Sequence, residues 1–268
     1  MPVGNLIKHL IRQHGSFLLI SSLLLGGFQF LICGIVSTID IIGALQGIMK
    51  NVPPLFRSII EEQFFSGLSS KSVIAFGWNH PISLALGAAA AIIFATRAVA
   101  GEIENGVMEL LLSQPVSRNR YLSGQIIFAF VALAGLSLFG ILGTFLGGKI
   151  YNVPLFSGPT LFQLALNYFL LQTVWYGIAL LVSVHAREAG RVAIIGFLLA
   201  LISYLISVIG KLWNNATFLL PYTINTYFSP QSILAENRLE IRSLILLALL
   251  CVFSISLAVQ RFHQRDIP

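Results

Sequence analysis

The sequence RAVAGEIENGVMELLLSQPVSRNRYLSGQ, from Arg97 to Gln125, is a polar, charged interruption between two long apolar segments. Within it, apolar residues recur at the spacing of one helix face, at Ile103, Val107, Leu110 and Leu111. Charged residues accompany this face, at Glu102, Glu104, Glu109, Arg118 and Arg120. The pattern predicts an amphipathic helix over Glu102–Leu112 that lies at the membrane surface.

The end of this interruption carries two signals for a return into the membrane. Pro115 disfavours the α conformation at Gln114, so the amphipathic helix should end there. Ser117 is placed to cap a new helix that carries Tyr121 into the next apolar run. Spacing alone leaves two interpretations, a docking element for a soluble partner or an ordinary loop whose charges only fix orientation.

The stretch RAVAGEIENGVMELLLSQPVSRNRYL resembles the signature of permease subunits of ABC type-two exporters. The shared features are a glycine and acidic cluster, a G-x-x-E-x-L-L core that begins at Gly106, and P-V-S-R at Pro115–Arg118 followed by Arg120. Two shorter stretches, NHP at Asn79–Pro81 and RFHQRD at Arg261–Asp266, resemble the family more loosely.

This resemblance implies six transmembrane helices per subunit, a second permease copy (identical or different), and two separate ABC ATPase subunits that bind ATP and Mg²⁺. Val3–His14 would be a connecting helix, and Glu102–Leu112 a coupling helix that inserts into a groove of the ATPase. The loop after the fourth span would add a smaller contact. The docking residues so implied are Glu102, Ile103, Glu104, Val107, Glu109, Leu110, Arg118, Arg120, Arg187, Glu188 and Arg191.

The composition excludes a soluble domain. Of 268 residues, 56% are hydrophobic and only 10% are charged, whereas a soluble domain carries about 25% charged residues. The mean hydropathy is +0.87. The basic residues behind the net charge of +6 lie singly at the ends of apolar runs, so no basic patch indicates a nucleic-acid partner. Cys33 and Cys251 lie inside predicted spans, too isolated for a disulfide or a zinc site.

Six segments are long and apolar enough to cross a bilayer, which takes about 20 residues. They are predicted at 16–36, 82–100, 123–147, 161–184, 192–209 and 243–259. Other segments are predicted to lie outside the hydrocarbon: an amphipathic interfacial helix at 1–15 with His14 on its polar face, an external amphipathic segment at 38–80, and the coupling region at 101–122. The chain is therefore predicted to be one all-α integral membrane domain over 1–268.

Lysines and arginines that flank the spans predict the orientation. With the N-terminus inside, nine of them lie on the inner segments and seven on the longer outer segments. Their density therefore predicts cytoplasmic termini in a multi-pass protein of the bacterial inner membrane. Trp78 and Tyr151 are among the aromatic residues predicted to anchor the outer ends of the spans.

Small residues form stripes on two of the predicted spans. One stripe recurs every fourth position in the second span, at Ser83, Gly87, Ala91 and Ala95, and Gly143 and Gly147 form a G-x-x-x-G pair in the third. Small residues let helix backbones approach closely. Two interpretations stay open, packing within one subunit and a seam between two permease copies.

The sequence contains no motif for chemistry of its own. Gly143–Ile150 nearly matches a phosphate loop, but Ile150 replaces the required hydroxyl residue, so no ATPase is expected in this chain. No H-E-x-x-H or G-x-S-x-G occurs, and no catalytic, cofactor or metal residues are predicted. No predicted span has a central carboxylate, which disfavours a proton- or sodium-coupled transporter.

Four polar residues lie within the predicted spans, at Gln29, Asn167, Gln172 and Ser203. They favour either hydrogen bonds between helices or the lining of a pore. The second possibility keeps an alternative function open, a channel or scaffold that works without nucleotide. The remaining span residues are mostly Phe, Leu, Ala and Gly, which fits a lipid-like or amphipathic cargo.

Overall fold

The computed structural model describes residues 3–38, 69–108, 117–153, 156–234, 237–238 and 240–265, with side chains from residue 10 onward. Every regular element in these ranges is helical, and six helices are long and apolar enough to cross a membrane. The prediction of an all-α membrane protein with six spans is confirmed.

The elements follow one another along the chain with short breaks. They are α1 (Val3–Thr38), α2 (Ser70–Asn79), α3 (Pro81–Thr96), a π-helical turn (Arg97–Gly101), α4 (Glu102–Glu104), α5 (Arg118–Ile150), α6 (Gly158–Ser183), α7 (Ala189–Leu212), two 3₁₀ helices (Asn214–Tyr222 and Ile224–Tyr227), α8 (Pro230–Leu234) and α9 (Ile241–Gln264). The spans are α1, α2–α4 taken together, α5, α6, α7 and α9.

The first span has no boundary near residue 15, where the sequence predicted an interfacial helix to end. Helix α1 is continuous over 36 residues. Gly15 costs a helix only about 1 kcal/mol and no proline follows it, so the helix runs on. His14, predicted on a polar face, is buried, with its ring 5.7 Å from the rings of Phe94 and Phe128. An interfacial position for the first residues stays a prediction.

The second span begins about ten residues earlier than predicted. Residues 70–79, placed by the sequence in an external segment, form α2, whose Val73, Ile74 and Trp78 are buried. Pro81 sits at the first turn of α3, where a proline is tolerated, so the chain turns at His80 without leaving the bundle. Residues 39–68 of the predicted external segment lie outside the described residues.

Trp78 is not the interfacial anchor that the sequence predicted. Its side chain is fully buried, and its Nε1 donates a hydrogen bond to Thr144 Oγ1 at 3.1 Å. The edge of its indole ring also faces Tyr168, with 5.3 Å between the ring centroids. A buried tryptophan needs a partner for its N–H group, and Thr144 of α5 supplies it.

Helix α6 is the centre of the bundle. It contacts α3, α5, α7 and α9, and its buried residues lie on all sides. Helix α7 is the opposite, since only Val192, Gly196, Ser207 and Gly210 of its 24 residues are buried. The apolar side chains on its outside suit contact with lipid.

Helices α1 and α5 meet along a glycine seam, formed by Gly26, Cys33, Gly143 and Gly147. A Cβ atom added at Gly143 would collide with the carbonyl oxygen of Gly26, and one at Gly147 would lie 2.8 Å from the Cβ of Cys33. Only glycine therefore permits this approach of the two backbones. The G-x-x-x-G pair lies against a helix of its own chain.

The stripe of the second span lies against α6. A Cβ atom added at Gly87 would collide with the Gln172 side chain and the Tyr168 hydroxyl, and Ala91 and Ala95 are fully buried. Tyr168 also donates a hydrogen bond to the carbonyl oxygen of Ser83 at 2.6 Å. These positions too pack within the chain.

The two ends of the bundle differ in their connections. At one end, called the short-loop end, the described parts are residues 97–108, 117–120, 183–191 and 261–265. The other, the long-loop end, includes the described residues 69–81, 149–158 and 211–241. All residues of the predicted docking set that the structure describes lie at the short-loop end.

Candidate functional site

The second span reaches the short-loop end through the π-helical turn Arg97–Gly101, in which Ala98, Val99, Ala100 and Gly101 are buried. Neighbouring spans satisfy its displaced backbone groups. Tyr121 of α5 donates to the carbonyl oxygen of Ala98 at 2.8 Å, and the amide of Ala100 donates to Ser183 Oγ of α6 at 3.0 Å. Since π-helical turns need such support and occur often at functional sites, this turn marks the start of the candidate site.

The predicted helix over Glu102–Leu112 is wrong as a continuous element. Helix α4 ends at Glu104, and Asn105 and Gly106 form a turn in which Gly106 has a φ of 68°. An Asn-Gly pair that ends a helix in this left-handed conformation is a strong stop signal, which the apolar spacing obscured. Helical residues resume at Val107 and Met108. Glu109 and Leu110 lie outside the described residues.

Glu104 joins the first loop of this end to the second. One of its carboxylate oxygens accepts a hydrogen bond of 2.7 Å from the amide of Ala189, the first residue of α7. Glu188 occupies the cap position of α7, but its side chain makes no capping hydrogen bond. Glu104 therefore supplies the anionic acceptor that a helix N-terminus favours, from a position 85 residues away.

Two arginines do the corresponding work at the C-terminal ends of helices. Arg118 donates to the carbonyl oxygen of Arg265 at 2.7 Å and to that of His263 at 3.4 Å, at the end of α9. Arg265 donates to the carbonyl oxygens of Val184 at 2.8 Å and Ala186 at 2.9 Å, just after α6. The last carbonyls of a helix lack partners within it, and guanidinium groups satisfy them here.

We call Glu104, Arg118 and Arg265 the capping cluster. Its hydrogen bonds connect the second span to the fifth, the third span to the sixth, and the sixth span to the fourth. Burial, and then the nearby charge of Arg187, lower the pKa of Arg265. Arg187 on the second loop therefore lies close to the C-terminal segment, and both loops share one surface.

The chain matches the family model described as ABC-2 family transporter protein over residues 12–267. The chain belongs to the ABC-2 transporter family. No curated protein sequence matches it. As a member, this multi-pass protein is the permease component of an ABC transporter. Transporters of this class work with an ABC ATPase.

The ABC-2 permease presents charged side chains of both loops on the surface of its short-loop end. Glu102, Ile103 and Arg118 are partly exposed. The other predicted docking residues within the described ranges are exposed, namely Glu104, Val107, Arg120, Arg187, Glu188 and Arg191. The loop residues thus form a mixed acidic and basic surface around the capping cluster.

Ser117 behaves as the sequence predicted. It caps α5, and its hydroxyl accepts a hydrogen bond from the amide of Arg120. Arg118 differs from the expectation that it could pair with the acidic residues, because its guanidinium group is turned to the carbonyls at the end of α9. The partner sites of Arg118 were unavailable to sequence reasoning, since backbone carbonyls are present at every position of a chain.

Three of the four polar residues inside the spans of this permease form hydrogen bonds within the bundle. Gln29 donates to Ser83 Oγ, Asn167 donates to the carbonyl oxygen of Tyr227, and Ser203 accepts from the amide of Ile224. Gln172 is buried without a hydrogen-bond partner for its amide group. These contacts favour helix packing over a polar pore for the first three.

Sequence reasoning missed Ser183, Arg265 and the pairing of Asn119 with His263. A weak signal existed for Arg265, which follows α9 closely, where basic residues favour a helix C-terminus. Its actual targets lie 79 and 81 residues away in α6 and the following turn. Local pattern carries no information about contacts over that separation.

Proposed function

We propose that this chain is the permease subunit of an ATP-driven exporter and that its short-loop end docks the ATPase. The observation that carries the proposal is the joining of the two loops by the hydrogen bond from the Ala189 amide to Glu104. A partner that moves one loop would move the start of α7 as well. Such linkage is what allows ATP binding on one subunit to shift the conformation of another.

The short-loop end is then cytoplasmic, as the density of basic residues predicts, and both termini lie there. The host membrane is a bacterial inner membrane. Two permease copies and two ATPase subunits form the transporter, and the ATPase subunits bind ATP and Mg²⁺. This chain itself hydrolyses no nucleotide and forms the substrate pathway.

The docking surface can be tested through residues that play no part in the capping cluster. Arg187 and Arg191 are exposed on the second loop, so reversing both charges should weaken an interface without removing a helix cap. We expect recovery of the ATPase with tagged Arg187→Glu/Arg191→Glu permease to fall about tenfold, which corresponds to about 1.4 kcal/mol. The measurement is purification from native membranes in mild detergent, followed by mass spectrometry.

The matched control reverses charges at the long-loop end, with Lys149→Glu and Arg242→Glu, both exposed positions. This variant should recover the ATPase at the wild-type level. Equal recovery with all three proteins would exclude docking through the second loop. Wild-type permease that is repeatedly recovered with no ATPase would favour the alternative, a channel or scaffold that works without nucleotide.

A further inference from the structure

A chamber of about 290 Å³ lies between α3, α6 and α7. Its lining is almost entirely apolar: Pro81, Leu84, Ala85, Ala88, Leu171, Trp175, Phe197, Ala200, Leu201, Tyr204 and Asn225. Pockets for small molecules span about 300–1,000 Å³, so this volume suits one narrow apolar chain.

The walls of the chamber differ in exposure. Leu84, Leu171 and Trp175 form a buried back wall. Phe197 and Leu201 on α7 line the chamber but are 41% and 51% exposed. The chamber is therefore open sideways along α7, on a surface that faces the hydrocarbon of the membrane. A molecule dissolved in the bilayer could reach it without crossing the polar ends of the bundle.

One end of the chamber is polar. Tyr204 and Asn225 also line an adjoining space of about 40 Å³. Its other polar lining residues are Asn79, Ser207, Gln231 and Lys211, the last of which lies in the final turn of α7. Within the part of the chain that the structure describes, no carboxylate or hydrogen-bond acceptor pairs with the Lys211 ammonium group.

A cation in such a place needs a partner. Taking a charge out of water costs several kcal/mol, about as much as a hydrogen-bonded counter-charge returns. The amide and hydroxyl groups beside Lys211 can orient an anion, but they bring no negative charge. An apolar chamber that ends at an unpaired cation is complementary to a molecule with an apolar chain and an anionic head.

We propose that this chamber binds an anionic amphiphile with a single acyl chain. The chain lies between α3, α6 and α7, and the carboxylate or phosphate head lies at Lys211. The site is formed by one chain and lies away from the short-loop end, so binding does not depend on ATPase docking. A failure of this proposal and a failure of the exporter proposal are therefore separate results.

The test uses the full chain in nanodiscs of zwitterionic phosphatidylcholine and a dodecanoate whose alkyl chain carries a photoactivatable diazirine. After irradiation, mass spectrometry should find labelled peptides from α3, α6 and α7. Labelling by the matching diazirine alcohol, which has the same chain and no charge, should be about tenfold weaker, as expected for loss of one charge-assisted interaction. This comparison needs no variant. Equal labelling by the two probes would overturn the proposal.

Variants locate the site further. Lys211→Met should lose labelling about tenfold, whereas Lys211→Arg, which keeps the charge, should retain it. Lys149→Met is the matched control, because Lys149 is also in the last turn of a spanning helix at the long-loop end. Ala85→Phe, an exposed position on the chamber wall, should block labelling by filling the apolar part. Unchanged labelling in both Lys211→Met and Ala85→Phe would place the label elsewhere and reject the site.

Discussion

The glycine seam and the capping cluster hold the same bundle together by different means. At the seam, the backbones of α1 and α5 touch directly through Gly26 and Gly143, with no side chain between them. In the capping cluster, long side chains such as Arg265 reach backbone groups of other spans near the surface. Contacts of the first kind cannot change unless a helix moves, whereas water can replace the second kind one bond at a time. The bundle therefore combines a fixed pair of helices with an end that can rearrange.

The largest expected effect comes from breaking the seam. Gly143→Leu places a side chain where the carbonyl of Gly26 lies, and we expect a loss of about 3 kcal/mol in the free energy of unfolding, or failure to fold. Gly135→Leu is the control, since no atom lies within 4 Å of a Cβ at that position of the same helix. Thermal unfolding of the purified proteins, followed by size-exclusion chromatography, measures both. Equal midpoints would mean that the seam is not closely packed.

A smaller effect is expected from the capping cluster. Arg265→Ala removes the donors to the carbonyls of Val184 and Ala186, and we expect a loss of about 2 kcal/mol in the free energy of unfolding. Arg261→Ala, in the exposed last turn of α9, should change little. The readout is the denaturant midpoint of tryptophan fluorescence. If both alanine variants unfold alike, the guanidinium of Arg265 contributes nothing to the bundle.

The smallest effect isolates a single cap. Glu104→Ala should destabilise the start of α7 by about 0.5–1 kcal/mol and speed hydrogen exchange at the Ala189 amide. Glu188→Ala serves as the comparison, because this neighbouring carboxylate makes no capping hydrogen bond. Hydrogen exchange of peptides that contain the first turn of α7 gives the answer. Faster exchange in Glu188→Ala than in Glu104→Ala would assign the cap to the wrong residue.

The sequence predicted the features that depend on neighbouring residues. The six spans follow from apolar length, and the cap at Ser117 follows from a hydroxyl residue placed before a helix. It failed where two local signals competed, as at Asn105 and Gly106, whose stop signal lies inside an apolar repeat. The apolar repeat alone predicted a helix through this turn.

The sequence could not predict the features that depend on distant residues. The burial of Trp78 requires Thr144, which lies 66 residues further along the chain. The role of Glu104 as a helix cap requires α7 to begin beside it. A pattern of residues reports the polarity of a segment, but these partners are decided by how the spans pack. The docking set remains a prediction for the same reason, since the partner surface is not part of this chain.

The contrast between α6 and α7 bears on how this protein enters its membrane. Of the six spans, α6 is the least apolar and α7 the most apolar, and only a short turn from Val184 to Glu188 separates them. Alone in lipid, α6 would expose Asn167 and Gln172 before the helices that surround them are present. Helix α7 is suited to enter together with it as a hairpin, because its own insertion is strongly favourable. The most exposed helix of the finished bundle thus acts during synthesis as the escort of the most central one.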